Sequence, residues 1–149
     1  MTPSQNCFRV VKMFEGCRLT AYRCPAGIPT IGYGATRYPS GQPVKMGETI
    51  TQQRADLMLE WHLKEFGGDV KMQLINTLVN QNQFDALVSF AYNCGIGALA
   101  KSTLMKKVRN NPNDESIRAE FAKWNKAGGK ELAGLTRRRK VEADLYFKP

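Results

Sequence analysis

Residues Glu15–Thr36 read EGCRLTAYRCPAGIPTIGYGAT, and the architecture of the N-terminal third follows from them. Glu15 is followed at once by a glycine, which ends helices because it enters the left-handed region at no steric cost. Tyr22-Arg23 leads into Cys24-Pro25-Ala26-Gly27, and Thr30-Ile31-Gly32-Tyr33-Gly34 follows. Pro and Gly punctuate turns, whereas Thr, Ile and Tyr suit a pleated strand, so the pattern predicts helix end, strand, turn, strand. Glu15 is the sole acid before Glu48. Chemistry in this segment must therefore combine that carboxylate with a hydroxyl or a thiol.

Upstream, Thr2-Pro3 has the form of a helix start, a capping residue before a proline. Cys7, Val10, Val11 and Phe14 then recur at i, i+3, i+4 and i+7, one apolar face that closes at Gly16. Glu15 thus falls in a last helical turn, where a negative charge is unfavourable toward the helix dipole. Downstream, a small sheet is expected from Leu19 to about Val44, turning at Pro25-Ala26-Gly27 and Pro39-Ser40-Gly41. Thr49 and Gln52 have the capping-box spacing, and Ala55, Met58, Leu59, Leu63 and Phe66 keep a helical period to Gly67-Gly68. From there the pattern is helical. Phe84, Leu87, Val88 and Ala91 form one face, Ser102 and Asp114 are caps, Gly128-Gly129 is a break, and Thr136 opens the last helix. The lone His62 has no Cys, His or acid cluster around it and reads as a helix-surface or half-buried residue, so no metal and no cofactor are expected.

The length of 149 residues suits a single domain with its own core, at 42% hydrophobic and 23% charged residues. No stretch approaches the roughly 18 apolar residues of a membrane span. The opening MTPSQNCFRVVKMFEG has Arg9 and Lys12 but no apolar core segment or cleavage site, so cytoplasmic synthesis and folding are expected. A formal charge of +9 points to an anionic partner, with cell wall as good a match as nucleic acid. Arg137-Arg138-Arg139-Lys140 reads on its own as a solvated face or polyanion patch. The four cysteines, Cys7, Cys17, Cys24 and Cys94, show no metal-ligand spacing and read as thiols.

The opening stretch resembles the active-site segment of phage-type lysozymes, the family-24 glycoside hydrolases. In that family a Glu-Gly closes the first helix, an aspartate follows nine residues on, and a threonine comes six later within T-I-G-x-G. Glu15 and Thr30 match the glutamate and threonine, while Cys24 stands at the aspartate position. QFDALVSFAYNCGIGALAKSTL (83–104) and FAKWNKAGGKELAGLTRRR (121–139) extend the likeness along the chain. The resemblance implies an α+β lysozyme-like fold over 1–149. It has a small N-terminal lobe (about 1–66) with a short antiparallel sheet, and a larger all-helical lobe (about 67–149). It implies an endolysin-type muramidase that cuts the β-1,4 bond between N-acetylmuramic acid and N-acetylglucosamine in peptidoglycan. By the same resemblance Asn93 is a polar cleft residue, Trp124 a tryptophan near the cleft, and Arg137 the partner of Glu15.

Glycoside hydrolysis needs one group to protonate the leaving oxygen and another facing the opposite side of the sugar. Glu15 is the acid, Thr30 a holder of water, and Cys24 as a thiolate is base, nucleophile or stabiliser. A lytic transglycosylase, which needs essentially one glutamate, is the nearest alternative. An inactive basic protein that binds cell wall or nucleic acid is another, although no nucleic-acid motif is present and none is expected as partner. The remaining expectations are a monomer without stable membrane insertion, and passage from the host cytoplasm to the wall through an inner membrane permeabilised by a holin.

Overall fold

The computed structural model describes residues 1–149, with seven helices and two small antiparallel sheets. Helix α1 spans Gln5–Glu15 and is capped by Ser4, whose hydroxyl accepts from the Asn6 amide, rather than by Thr2. The start is fixed by tertiary bonding. The buried Asp85 accepts the Ser4 amide at 3.0 Å and also takes the Ser4 hydroxyl, tying the head of α1 to the third helix. Gly16, at φ +67°, closes α1 directly after Glu15.

Strands β1 (Arg18–Arg23) and β2 (Pro29–Gly32) then pair antiparallel, Tyr22 opposite Thr30 and Arg23 opposite Pro29. Single bridges, Thr20 with Thr49 and Arg37 with Pro43, carry the chain back over this ribbon. Ala21, Ile31, Ala35, Val44 and Met58 close a small core beneath it.

Helix α2 runs Gln52–Gln73, capped by Thr51. It continues through Gly67-Gly68, where the sequence suggested an end, so the expected lobe boundary at 66/67 falls inside one helix. A Cβ at Gly67 would meet Pro3 at 3.0 Å and Phe84 at 3.5 Å, so this glycine lets other parts of the chain pack against the helix. Helix α3 (Gln81–Cys94) opens with an Asn80/Gln83 capping box and is the buried centre of the larger core. Around it lie α4 (Ile96–Lys101), α5 (Thr103–Asn110), α6 (Ile117–Ala122) and α7 (Ala133–Tyr146).

Ser102 caps α5 as expected. Asp114 binds the Ser116 amide in a turn ahead of α6. Thr136 lies within α7 rather than at its start, because Leu132 occupies the cap position. Gly128-Gly129 is not a plain helix break. At φ +59° and +81° it turns a hairpin between β3 (Lys126–Ala127) and β4 (Lys130–Glu131), a strand pair inside the part expected to be all helix. No helix is long and apolar enough to cross a membrane.

Candidate active site

Glu15 is the last residue of α1, and its carboxylate lies at the mouth of a cavity of about 320 Å³. Gly34, Thr36, Arg37, His62, Tyr92 and Asn93 share this lining. The side chain of Glu15 is 20% exposed, and its Oε2 accepts Nη1 of Arg138 at 2.6 Å. Gly34, at φ +86°, lies so close that a Cβ there would stand 3.1 Å from Glu15 Oε1. The second glycine of T-I-G-Y-G is thus required twice, by backbone conformation and by the approach of the carboxylate. Tyr92 donates its hydroxyl to the Tyr33 carbonyl at 2.5 Å, joining α3 to the loop that carries Gly34. Burial pushes the Tyr92 phenol up, and the nearby Glu15 charge adds to the rise. It stays a neutral donor.

Arg138, not Arg137, holds the glutamate. Helical phase decides this: Arg138, Arg139, Glu142, Leu145 and Tyr146 lie on the buried face of α7, while Arg137 points to solvent. Arg137 still borders a neighbouring hollow of about 380 Å³ that it shares with Glu15 and Asn93. The run of three arginines and a lysine is therefore not a single basic patch. Arg138 and Arg139 are buried among acids, and Lys140 pairs with Asp144 at 3.1 Å. Arg139 donates Nη2 to the Asn93 side-chain oxygen at 2.7 Å, which fixes that amide at the cavity wall.

Cys24 and Thr30 meet at the other end of the hairpin. The Cys24 amide donates to the Ile28 carbonyl at 3.0 Å and closes the β1–β2 turn. Hydrogen bonds to its sulfur from the backbone at Ile28 and Ala26 hold the Cys24 thiol below the ordinary thiol range. Thr30 is only 3% exposed, and its hydroxyl donates to the Ile28 carbonyl at 2.9 Å. With its one proton so placed, it is free to accept. Neither residue lines the cavity around Glu15.

Trp124 lies outside that cavity too. It stands edge-on to Phe90, with ring centroids 5.3 Å apart, and packs against the helical core. His62 is 6% exposed, and Nε2 lies 3.1 Å from the Arg37 carbonyl. That contact makes Nε2 the protonated nitrogen. Arg138, Gly34, Tyr92 and His62 are the site residues that sequence reasoning missed. For Arg138 the signal was available: stepping back seven residues from Leu145-Tyr146 lands on Arg138-Arg139.

A helix-borne glutamate on an arginine, facing a cleft between a β-ribbon and a helical body, defines a lysozyme-like protein. The chain belongs to the phage lysozyme family, whose model, described as Phage lysozyme, matches residues 12–142. It is 42% identical to the endolysin of Bacillus phage B103 over 99% of its own length and 54% of that relative. It is 38% identical to the endolysin of Salmonella phage P22 over 96% and 97% of the two chains. The chain spans about half the length of the Bacillus phage relatives it matches. Among solved structures, an endolysin from Escherichia coli O157:H7 phage FAHEc1 superposes with a TM-score of 0.88 at 40% identity, covering 99% of this chain and 94% of that one. The muramidase domain of SpmX from Asticaccaulis excentricus does so at 0.85 and 33%, covering 98% and 97%.

Proposed function

We propose that the chain is a peptidoglycan hydrolase, a muramidase cutting the β-1,4 bond between N-acetylmuramic acid and N-acetylglucosamine during phage-induced lysis. The observation that carries this reading is Glu15, clamped at 2.6 Å by Arg138 at the cavity mouth. Glu15 protonates the departing glycosidic oxygen. Arg138 holds the carboxyl in position and meets the charge left on it after transfer. Cys24 is the second group. Its cradled thiolate offers negative charge toward the oxocarbenium-like transition state and takes the proton that the attacking water sheds, while Thr30 accepts a hydrogen bond from that water. Backbone bonds that stabilise a thiolate also lower its nucleophilicity, which favours the stabilising role over direct attack. Asn93 and Arg137 flank the path of the glycan. Trp124 supports the wall of the helical body instead of stacking on sugar.

The protein works as a monomer and reaches the wall from the host cytoplasm through a membrane opened by a holin. Purified protein is expected to clear permeabilised Gram-negative cells and to release reducing ends from isolated peptidoglycan. Glu15→Gln, which keeps size and hydrogen bonding but removes the proton donor, is expected to lose about 10²-fold or more. A folded Glu15→Gln enzyme of near-parental rate overturns the assignment. Products ending in anhydro-muramic acid would replace hydrolysis with transglycosylation.

A further inference from the structure

We propose that Glu142 is a positioning residue, a single buried carboxylate that holds both Glu15 and Asn93 in the cleft, each through its own arginine. The inference deepens the functional reading above and rests on Glu15 being the acid. None of the Glu142 side chain is exposed. Its Oε2 accepts the Ser89 hydroxyl at 2.5 Å, Nε of Arg138 at 3.2 Å and Nη2 of Arg139 at 3.3 Å. Its Oε1 lies 2.8 Å from Arg139 Nε, a charge contact without the angle of a hydrogen bond.

Two arms leave this centre. Nη1 of Arg138 reaches Glu15 at 2.6 Å, and Nη2 of Arg139 reaches the Asn93 side chain at 2.7 Å. Helix geometry explains how one carboxylate serves both arms. Glu142 is i+4 from Arg138 and i+3 from Arg139, so both stems lie beside it one turn away. Consecutive helical residues diverge by about 100°, so the far ends of the two guanidiniums separate, one toward α1 and one toward the end of α3.

Energetics argue against a purely structural purpose. Withdrawing ions from water is costly, and apolar side chains of similar volume often hold helices as well or better. What apolar side chains cannot do is present a fixed cation to Glu15 and a fixed donor to Asn93. The Glu142 charge offsets one of the two guanidiniums, and the other is left to face Glu15. Burial pushes the Glu142 carboxyl up, and the guanidiniums of Arg139 and Arg138 oppose that rise. Without the Glu142 charge, two buried guanidiniums stand side by side with no shared anion, and both arms lose their anchor.

The test is steady-state kinetics of Glu142→Gln on soluble glycan fragments, with the folded fraction measured by near-ultraviolet circular dichroism. A fall in kcat of about tenfold or more is expected from misplacement of Glu15. A rise in KM of about threefold is expected from loss of the ordered Asn93 hydrogen bond. In an Asn93→Ala background the KM effect of Glu142→Gln should vanish while the kcat effect persists, as a double-mutant cycle requires of a connected pair. A merely structural residue would reduce the folded fraction and leave both constants per folded molecule unchanged. That outcome overturns the proposal, as does an undiminished KM effect without Asn93. Where Glu142→Gln does not fold, Ser89→Ala removes one bond from Glu142 and keeps every charge. A lowered kcat there supports the proposal, and an unchanged one overturns it. Glu15→Gln run in parallel separates the two readings. Its retained activity defeats the assignment of the acid, whereas its loss beside an unaltered Glu142→Gln defeats only the positioning role.

Discussion

At the scale of single residues, the departure from the family pattern at Cys24 sets the sharpest expectation. Hydrogen bonds from the backbone at Ile28 and Ala26 favour its thiolate, while burial pushes the thiols of Cys7 and Cys94 up. Because the thiolate is the species that alkylates, iodoacetamide at neutral pH should label Cys24 ahead of those two, as peptide mapping would read. Labelling should abolish activity in the parent and spare Cys24→Asp. Cys24→Ala is expected to cost at least about tenfold in rate, roughly 1.4 kcal/mol of barrier, and full activity in that variant leaves the cysteine a packing role alone. Glu15, Cys24 and Thr30 could be proposed together because they occupy one short segment whose spacing resembles the family's. Arg138 was legible only through helical phase, since residue type cannot say which of three consecutive arginines faces inward. Tyr92 was hidden differently, because its hydroxyl role depends on a carbonyl 59 residues away.

Among the elements, those with strong periodicity or strong caps were legible, and those shaped by distant contacts were not. The apolar faces of α1 and α3 are local signals and both helices carry them, whereas the helix starts moved: Ser4 rather than Thr2 caps α1, and Thr51 rather than a Thr49/Gln52 box caps α2. The β3–β4 hairpin has two residues per strand, too few for an alternating pattern, so only its glycine pair was visible. Helix α2 passes two glycines because packing outweighs a propensity loss of about 1 kcal/mol each. The two positions should therefore respond differently to alanine. Gly68 has open space around it, so Gly68→Ala should gain about 0.5–1 kcal/mol in urea unfolding. Gly67→Ala would crowd Pro3 at 3.0 Å and should show no gain or a net loss. Equal gains at both would remove the close-packing account of Gly67. On the same helix, burial holds the His62 pKa below its ordinary value of 6.5, ahead of the opposing effects of the Arg37 carbonyl and Glu65. The unfolded chain then takes up the proton first as pH falls. The contribution of His62 is complete above about pH 6.5 and is lost on acidification through the lower folded value. Melting temperature should decline across that window, and His62→Gln should flatten the decline. Identical slopes in parent and variant would assign the acid sensitivity elsewhere.

For the whole molecule, the fold class was legible because three separated stretches carry one family's pattern, whereas the division of charge between surface and interior was not. Of the net +9, the run Arg137–Lys140 contributes less to the outer field than its sequence suggests, because Arg138 and Arg139 are spent on Glu15 and Glu142. The free positive charge is dispersed instead. Lys101, Lys106, Lys126, Lys130 and Arg137 are exposed and form no ion pair. A dispersed field attracts a large polyanion such as cell wall without fixing its orientation, and it is screened over a Debye length of about 8 Å at physiological salt. Added salt should therefore lower activity on intact wall, while a short soluble fragment, which reports the cleft rather than the field, loses less. Reversing Lys126 and Lys130 on the exposed β3–β4 hairpin lowers the net charge by four, from +9 to +5, at side chains that line neither hollow beside Glu15. Lys126→Glu/Lys130→Glu should reproduce part of the salt effect at low ionic strength and leave turnover of the soluble fragment unchanged. An equal salt response on the two substrates, or a double variant that clears wall at the parental rate in low salt, would mean that the positive surface plays no part in recruitment.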